Sequence, residues 1–229
     1  MSKYKIPCIV QARMGSSRLP GKSLKLFNSI PAIEITLKRL SNANNISEVI
    51  LATSTNDENT ILANYCSKLG YRVYRGSEKN LVLRFIQTID HFNIDTKNFI
   101  RATADNVFMC WHEIDRLVEH GLVNKFDYVN YKNPAYPDRN NDFSGEFVNV
   151  QKLRDVLNIT NNNFDLEHVY PYFINNDKKF MIDTIDVPST LHSNIKLDMD
   201  TEEDYQAIAK MCEKVDDLFN TETSNILNN

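Results

Sequence analysis

Short apolar runs alternate with helical patterns over the first half of the chain. The segments 6–12, 48–54 and 98–105 are apolar runs of strand length, and the last of them ends at an aspartate. Between such runs, stretches such as 31–40 carry apolar residues at helical spacing. Alternation of strands with helices is typical of βαβ units. We therefore expect an α/β fold with a Rossmann-like, mostly parallel twisted sheet flanked by helices.

The amino-acid composition and the apolar pattern change in the second half of the chain. Residues 126–150 are rich in Asn, Tyr, Pro and Asp, and a single helix is expected over 165–175. We expect a small inserted subdomain at about 126–180 within one domain of residues 1–220. A flexible tail is expected at 221–229, because its sequence is polar and has no clear apolar spacing.

The inserted segment is rich in aromatic residues, namely Tyr128, Tyr131, Tyr136, Tyr170, Tyr172 and Phe173. Aromatic side chains are enriched at interfaces and at the rims of ligand pockets. One prediction is therefore an interface between two copies of the chain. The alternative is a satellite core, in which these side chains pack onto the protein's own sheet.

Composition and charge narrow the function classes. The 229 residues are 42% hydrophobic and carry a net charge of −4, with a pI of about 5.8. Such a chain has no general attraction for nucleic acid or an anionic membrane, so a bound anion must meet a local cluster of cations. No apolar run approaches the roughly 20 residues that span a bilayer, and no signal peptide is recognisable. Four cysteines without a C-x-x-C spacing favour a reducing cytoplasm.

The segment QARMGSSRLPGKSL, residues 11–24, follows the first predicted strand and combines two glycines with three cations. A turn at this place puts backbone N–H groups at the carboxyl edge of a parallel sheet, where ligands collect. Arg13, Arg18 and Lys22 add positive charge, which suits a triphosphate. The glycine spacing matches neither a P-loop nor a dinucleotide fingerprint. The alternative is a solvated basic loop.

This segment resembles the signature A-R-x-x-S-[ST]-R-L-P-G-K of the cytidylyltransferases that activate acidic sugars, especially the branch of spore-coat polysaccharide biosynthesis proteins. Five more segments resemble that branch in the same order: EVILATSTNDEN, YRGSEKNLVLRF, FIRATADNVF, EHVYPYFINN and IKLDMDTEEDY. The resemblance covers residues 6–210. It implies transfer of CMP from CTP to a sugar-like acceptor with release of pyrophosphate. It also implies a homodimer whose inserted subdomain reaches the neighbour's acceptor pocket.

The resemblance assigns roles to individual residues. Arg13, Arg18 and Lys22 match triphosphate-binding positions, and Asp105 and Asp200 match the ligands of Mg²⁺, the implied cofactor. Catalysis would rest on Arg13, Lys22 and the two aspartates, through positioning and charge stabilisation rather than a protein nucleophile. The remaining nucleotide-binding positions are Ala12, Met14, Gly15, Ser16, Thr53, Arg75, Ser77, Arg84 and Thr103.

Four of these residues also have ordinary structural interpretations. Asp105 is consistent with a turn or helix cap after a strand. Ser77 is consistent with the N-cap of the next helix. Arg75 and Arg84 are consistent with solvated charges beside that helix. Structural and ligand-binding roles can coexist at such positions.

The second metal ligand has a competitor in the sequence. Asp198 and Asp200 have the same side-chain parity on an extended strand, so spacing alone leaves either one as the ligand. The resemblance selects Asp200. Thr201 and Asp204 predict a capping box at the start of the following helix, with Asp in place of the usual Glu.

Two stretches depart from the family pattern, one at the turn after Asp105 and one beside the acceptor. The sequence ADNVF stands where A-D-C-P-L is expected, and NNDFSGEFVNV replaces a segment that borders the acceptor in the family. Acidic sugars and phosphorylated acceptors therefore both stay open. His168 lies in the E-H-V-x-P-Y match and is expected near the acceptor or the dimer partner.

Two other functions are considered. The motif Asp198-Met199-Asp200 is a D-x-D match, which is found in glycosyltransferases that bind a metal-linked diphosphate, although it lies late in the chain. A degenerate module that only binds CTP is the non-enzymatic alternative. Retention of Arg13, Lys22 and both aspartates argues against it.

Overall fold

A central sheet organises the protein in the computed structural model, which describes residues 4–132, 143–192 and 196–228. The strands of the sheet are β1 Ile6–Gln11, β4 Ile46–Ser54, β5 Arg72–Gly76, β6 Asn98–Thr103, β7 Tyr128–Lys132, β8 Glu146–Asn149 and β9 Ile182–Asp186. A separate small hairpin is formed by β2 Leu26–Phe27 and β3 Ile30–Pro31.

Helices cover both faces of the sheet. They are α1 Ala32–Ser41, α2 Thr60–Lys68, α3 Leu81–His91, α4 Trp111–Asn124, α5 Val150–Ile159, α6 Asn163–His168, α7 Tyr170–Asn175, α8 Glu202–Cys212 and α9 Thr223–Leu227. In the described part of the chain, no helix is both long and apolar enough to cross a membrane.

The strand order β5-β4-β1-β6-β8-β7-β9 confirms the expected mostly parallel sheet. Strands β5, β4, β1 and β6 are parallel neighbours, as are β7 and β9, whereas β8 is antiparallel to both of its neighbours. The chain adds β4 and β5 on one side of β1 and then crosses to place β6 on the other side. Ligands of such sheets bind at this switch point, beyond the carboxyl ends of β1 and β6.

Strand alternation divides the core into two clusters. In β1, Cys8 and Val10 face one cluster, which includes residues of α1, α2, α4, α8 and α9. Ile9 faces the other, which includes residues of α3, α5 and α7. Successive strand side chains point to opposite faces, so an unbroken apolar run is what a strand buried on both faces requires. All four cysteines are buried free thiols.

The segment around 126–180 forms part of the central sheet and of the helical layer on one of its faces. It supplies β7 and β8 to the central sheet and α5 to α7 to one of its faces, while residues 133–142, which include Tyr136, lie outside the described residues. Tyr128, Tyr131, Tyr172 and Phe173 are buried. These aromatics form the satellite-core arrangement, so the prediction that they make an interface is wrong for these four.

The helix expected over 165–175 is broken into α6 and α7. Val169 lies between them with φ of 63°, in a region that β-branched residues rarely occupy. Pro171 follows within the first turn of α7, where its missing N–H costs no helical hydrogen bond. Apolar spacing continues across the break, because the partly buried Leu166 of α6 and the buried Phe173 of α7 pack against the same cluster. Periodicity alone therefore suggests one helix.

The polar C-terminal segment forms α9 and packs onto the domain, although the sequence predicts a flexible tail at 221–229. Thr223 and Ile226 of α9 are buried. Arg39, fully buried on α1, donates to the carbonyl oxygens of Leu218 and Thr221 and to the Thr223 hydroxyl at 2.8 to 2.9 Å. The segment is held by partners for a buried charge, a contact that apolar spacing does not signal.

Candidate active site

The loop after β1 wraps around one backbone carbonyl. The carbonyl oxygen of Met14 accepts hydrogen bonds from the N–H groups of Ser16 at 2.9 Å and Gly21 at 3.0 Å. Gly21 has φ of 70°, a left-handed conformation that glycine adopts without the strain of a Cβ atom. The turn leads directly into a short 3₁₀ helix that begins at Lys22.

Asn59 and Leu19 fix this loop to the rest of the domain. Buried Asn59 accepts a hydrogen bond from the Met14 N–H at 2.7 Å and donates to the Ser54 hydroxyl at the end of β4, also at 2.7 Å. Leu19 is buried in the core. Between these anchors, Gly15 and Arg18 are exposed, so the loop presents backbone and charge to solvent on a rigid base.

Two carboxylates from distant parts of the chain are brought together beside the loop. Asp105 follows β6, and its carbonyl oxygen accepts a hydrogen bond from the Met199 N–H at 2.9 Å. Asn106 and Asp198 form an antiparallel bridge next to it. Backbone pairing between these segments places Asp105 and Asp200 side by side.

Lys22 joins the two carboxylates. Its Nζ lies 2.8 Å from Asp105 Oδ2 and 3.1 Å from Asp200 Oδ1. The side chain of Lys22 is only 16% exposed. Burial alone would lower the pKa of Lys22, but the two carboxylates outweigh it and raise that pKa above its ordinary value. Lys22 is therefore a firmly protonated ammonium group at the centre of the site.

Asp200 is surrounded by further cations. Arg18 lies 3.2 Å from its Oδ1, and Lys196 lies 2.9 Å from its Oδ2. Lys196 is also 3.1 Å from Asp204, which accepts hydrogen bonds from the backbone N–H groups of Asp200 and Thr201. Burial would raise the pKa of Asp200, but the ammonium groups of Lys196 and Lys22 hold it below its ordinary value.

This geometry favours Asp200 over Asp198 as the partner of Asp105, because Asp200 shares Lys22 with it. The predicted capping box is confirmed: the Thr201 hydroxyl accepts from the Asp204 N–H at 3.2 Å, and Asp204 accepts from the Thr201 N–H at 2.9 Å. The cap fixes the backbone immediately after Asp200.

Arg13 points into a second polar cluster. It lies 2.8 Å from Glu78 and 3.3 Å from Glu167 of α6. Burial would raise the pKa of Glu78, but hydrogen bonds from Ser54 and Arg13 lower it below the ordinary value. The contact with Glu167 brings α6 next to the loop. The ring of His168, the neighbouring residue, packs at a tilt against the Phe164 ring, with 4.6 Å between centroids.

Arg84 and Arg75 bind loop carbonyl groups. Buried Arg84 donates to the carbonyl oxygens of Ser77 at 2.7 Å and Glu78 at 2.9 Å. Arg75 donates to the carbonyl oxygens at positions 54 to 56, at 2.9 to 3.1 Å. Both side chains thereby shape the rim beyond β4 and β5. A direct contact with a base stays a prediction.

Asn80, and not Ser77, is the N-cap of α3. Asn80 Oδ1 accepts from the Leu83 N–H at 2.8 Å, whereas the Ser77 hydroxyl accepts from the Asn80 N–H at 3.0 Å. Ser77 therefore stabilises the turn one step earlier. The cap interpretation of Ser77 is wrong because α3 begins at Leu81, directly after Asn80.

Three predicted positions lie at strand ends around the site. Ala12 follows β1, Thr53 is in β4, and Thr103 ends β6 opposite Gln11. Thr53 is fully buried, and its hydroxyl has no hydrogen-bond partner among the described residues. Buried hydroxyl groups normally have partners, so Thr53 has a hydrogen-bonding group that the described chain does not satisfy.

The carboxylates of the site suit a metal ion that takes its remaining ligands from a substrate and from water. No cluster of three or more His, Cys, Asp or Glu side chains suitable for a metal occurs among the described residues. The Asp105 and Asp200 pair is nevertheless sufficient for Mg²⁺, which typically binds one or two carboxylates, several waters and substrate phosphates. These two residues would hold the ion.

Sequence reasoning missed four residues of the site, namely Asn59, Glu78, Glu167 and Lys196. It assigned Asp204 to a capping box and missed its contact with Lys196. Glu78 and Lys196 lie within the motifs that carry the family resemblance, so their position was a usable signal. Asn59 and Glu167 also lie within such segments, EVILATSTNDEN and EHVYPYFINN, and the fold brings both of them to the loop.

A cationic loop after β1 and paired carboxylates at the switch point define a nucleotide-binding α/β enzyme of the nucleotidyltransferase class. The model of the cytidylyltransferase family matches residues 7–225, and the chain belongs to that family.

Similar proteins agree with this assignment. The spore coat polysaccharide biosynthesis protein SpsF of Bacillus subtilis is 29% identical, over 96% of this chain and 91% of its own length. A cytidylyltransferase structure from Leptospira borgpetersenii has a TM-score of 0.84 at 23% identity, covering 98% of this chain and 93% of that one. A CMP:2-keto-3-deoxy-manno-octonic acid synthetase complexed with CTP has a TM-score of 0.73 at 14% identity, covering 93% and 100%. At these identities the two structures establish a shared fold.

Proposed function

We propose that the protein transfers CMP from CTP to a sugar-like acceptor, releases pyrophosphate, and uses Mg²⁺. The observation that carries this proposal is the meeting of Lys22, Asp105 and Asp200 beside the loop after β1. The acceptor class that we favour is an acidic sugar used in surface polysaccharide synthesis, in keeping with what SpsF is named for.

The proposed reaction is an in-line attack of an acceptor oxygen on the α-phosphorus of CTP, with pyrophosphate as the leaving group. Arg13, Arg18 and Lys22 would bind the triphosphate and stabilise the charge that develops on the leaving group. The exposed backbone at Gly15 would let the loop approach the phosphates closely, whereas the Ser16 N–H is already bonded to the Met14 carbonyl oxygen. A bound Mg²⁺ would supply charge neutralisation at the α-phosphate and at the acceptor oxygen.

The base pocket is proposed beyond β4 and β5. Thr53, with its unpartnered buried hydroxyl, and the rim shaped by Arg75 and Arg84 support this placement. The acceptor is proposed near α6, because its Glu167 contacts Arg13 beside the loop. This arrangement would put the acceptor next to the α-phosphate of CTP.

Pyrophosphate release tests the reaction. Purified protein is incubated with Mg²⁺, one nucleoside triphosphate and a panel of acceptors: nonulosonic-type acidic sugars, which would give a CMP-sugar, and phosphorylated compounds, which would give a CDP-linked product. We expect release with CTP and with at least one acceptor class, and little with ATP, GTP or UTP. Equal turnover of UTP would contradict the base assignment.

The same assay separates the alternatives. A glycosyltransferase would consume a nucleotide-sugar and release no pyrophosphate from CTP. A module that only binds CTP would bind the nucleotide and release no pyrophosphate with any acceptor. Lys22 pairs with both Asp105 and Asp200, and this shared cation favours transfer of CMP over the use of Asp198 and Asp200 as a D-x-D pair.

A further inference from the structure

The carboxylates proposed to hold the metal are already joined by a cation that belongs to the protein. Lys22 Nζ contacts Asp105 Oδ2 at 2.8 Å and Asp200 Oδ1 at 3.1 Å. Of the cations in the described ranges, only Lys22 contacts both carboxylates. A divalent ion bound by both residues needs oxygens that the ammonium group now occupies.

We propose that Lys22 is a stand-in for the divalent cation, which excludes the metal until a nucleotide draws Lys22 away. The inference rests on the proposed function. With Lys22 in place, the two negative charges are partly neutralised and a second cation is repelled. A triphosphate brings new negative charge to the loop, so Lys22 can move to the phosphates while the metal takes the carboxylates. The metal would then enter only together with CTP.

Two neighbouring lysines provide matched controls. Lys196 also contacts Asp200, but at the other oxygen and together with Asp204, so it does not bridge the carboxylate pair. Lys25 lies close by in sequence and contacts Glu202 at 2.9 Å, at the start of α8. Removing either one subtracts the same charge from the neighbourhood without opening the space between Asp105 and Asp200.

The first experiment measures Mn²⁺ binding in the absence of nucleotide. The electron paramagnetic resonance signal of free Mn²⁺ reports how much of the ion stays unbound. We expect Lys22→Met to bind Mn²⁺ roughly tenfold more tightly than the wild type, within the range typical of coupled sites. Lys196→Met should gain clearly less, and Lys25→Met should match the wild type. Adding Asp105→Asn to Lys22→Met should remove the gained site.

The second measurement is calorimetric binding of CTP in the presence of EDTA. Here Lys22→Met should bind more weakly than the wild type, because a phosphate partner is lost, while Lys25→Met is unchanged. Under the proposal, Lys22→Met has opposite effects on the affinity for Mn²⁺ and on the affinity for CTP. A damaged fold would instead weaken the binding of both.

Each contrary result has a distinct meaning. The proposal is overturned if Lys22→Met gains no Mn²⁺ affinity, if Lys196→Met gains as much, or if Asp105→Asn leaves the gained site in place. If the wild type still binds CTP in those cases, the proposed nucleotide site survives. A wild type that binds no CTP would instead contradict the proposed function itself.

Discussion

Asp105 and Asp200 each present one oxygen to the same ammonium group, and the proposed reaction gives that pair of carboxylates to the metal. Replacing either by Asn removes a charged oxygen from a hard-metal site. We expect Asp105→Asn and Asp200→Asn each to lower kcat by at least about a hundredfold at saturating Mg²⁺. Pyrophosphate release, with circular dichroism to confirm folding, measures the effect.

Asp198→Asn is the control for this pair, because Asp198 meets Asn106 through its backbone and does not share Lys22. It should keep turnover close to that of the wild type. A near-normal Asp200→Asn together with an inactive Asp198→Asn would move the ligand role to Asp198.

Carboxylate contacts at the site also predict how stability depends on pH. Burial would raise the pKa values of Asp200, Asp204 and Glu78, but cations and hydrogen bonds hold all three below their ordinary values. Such groups stabilise the folded state above their unfolded pKa of about 4 and lose that contribution as the pH falls through the folded pKa. The free energy of unfolding should therefore drop below about pH 4.

Urea unfolding between pH 3 and pH 6 measures this dependence. Asp200→Asn should flatten the loss, since one of the three groups no longer titrates. The exposed Glu203, in the same first turn of α8, provides a control as Glu203→Gln. Identical pH profiles for Asp200→Asn and the wild type would contradict the prediction.

At the scale of elements, the capped start of α8 follows directly after Asp200, the proposed metal ligand. Thr201 caps the helix directly after Asp200, and Asn80 caps α3 in a comparable way. We expect Thr201→Ala and Asn80→Ala each to cost about 1 kcal/mol of unfolding free energy, the usual value of an N-cap. Thr201→Ala should in addition raise the Mg²⁺ concentration needed for half-maximal turnover.

Thermal unfolding and Mg²⁺ titrations of turnover separate these two effects. The Asn80 variant shows what loss of a cap does to stability alone, away from the carboxylate pair. Equal Mg²⁺ requirements in the two variants would show that the cap of α8 has no influence on Asp200.

At the scale of the whole molecule, we predict a homodimer. Exposed apolar side chains on α5 and α6 support a contact there, since Ile159 is 61% exposed and Phe164 is 55% exposed. Light scattering at micromolar concentration should give a dimeric mass. The double substitution Ile159→Glu and Phe164→Asp should give a monomer, because charge is strongly disfavoured in an interface core.

Ile61→Glu is the matched control, because Ile61 is 60% exposed on α2, at a different place in the fold. It should leave the dimer intact. A monomeric wild type in the presence of Mg²⁺ and CTP would contradict the dimer, and loss of the dimer with Ile61→Glu would move the interface to α2.

The fold and much of the site were accessible from the sequence. Strands such as those at 48–54 and 98–105 are buried on both faces of the sheet. Such strands need consecutive apolar residues, and these are recognisable in the sequence. The break between α6 and α7 at Val169 and the packing of α9 could not be predicted from the sequence. Each depends on a contact or backbone angle set by a distant part of the chain, and local periodicity carries no record of it.

By itself, the sequence determined the alternation of strands and helices, the cationic loop after β1, and the motifs of the family. Only the tertiary structure decided which charges meet. Lys22 lies 83 positions from Asp105 and 178 from Asp200, yet contacts both. The physical reason is that local spacing records burial within one element, whereas strand order and the backbone pairing of Asp105 with Met199 determine which distant side chains share a site.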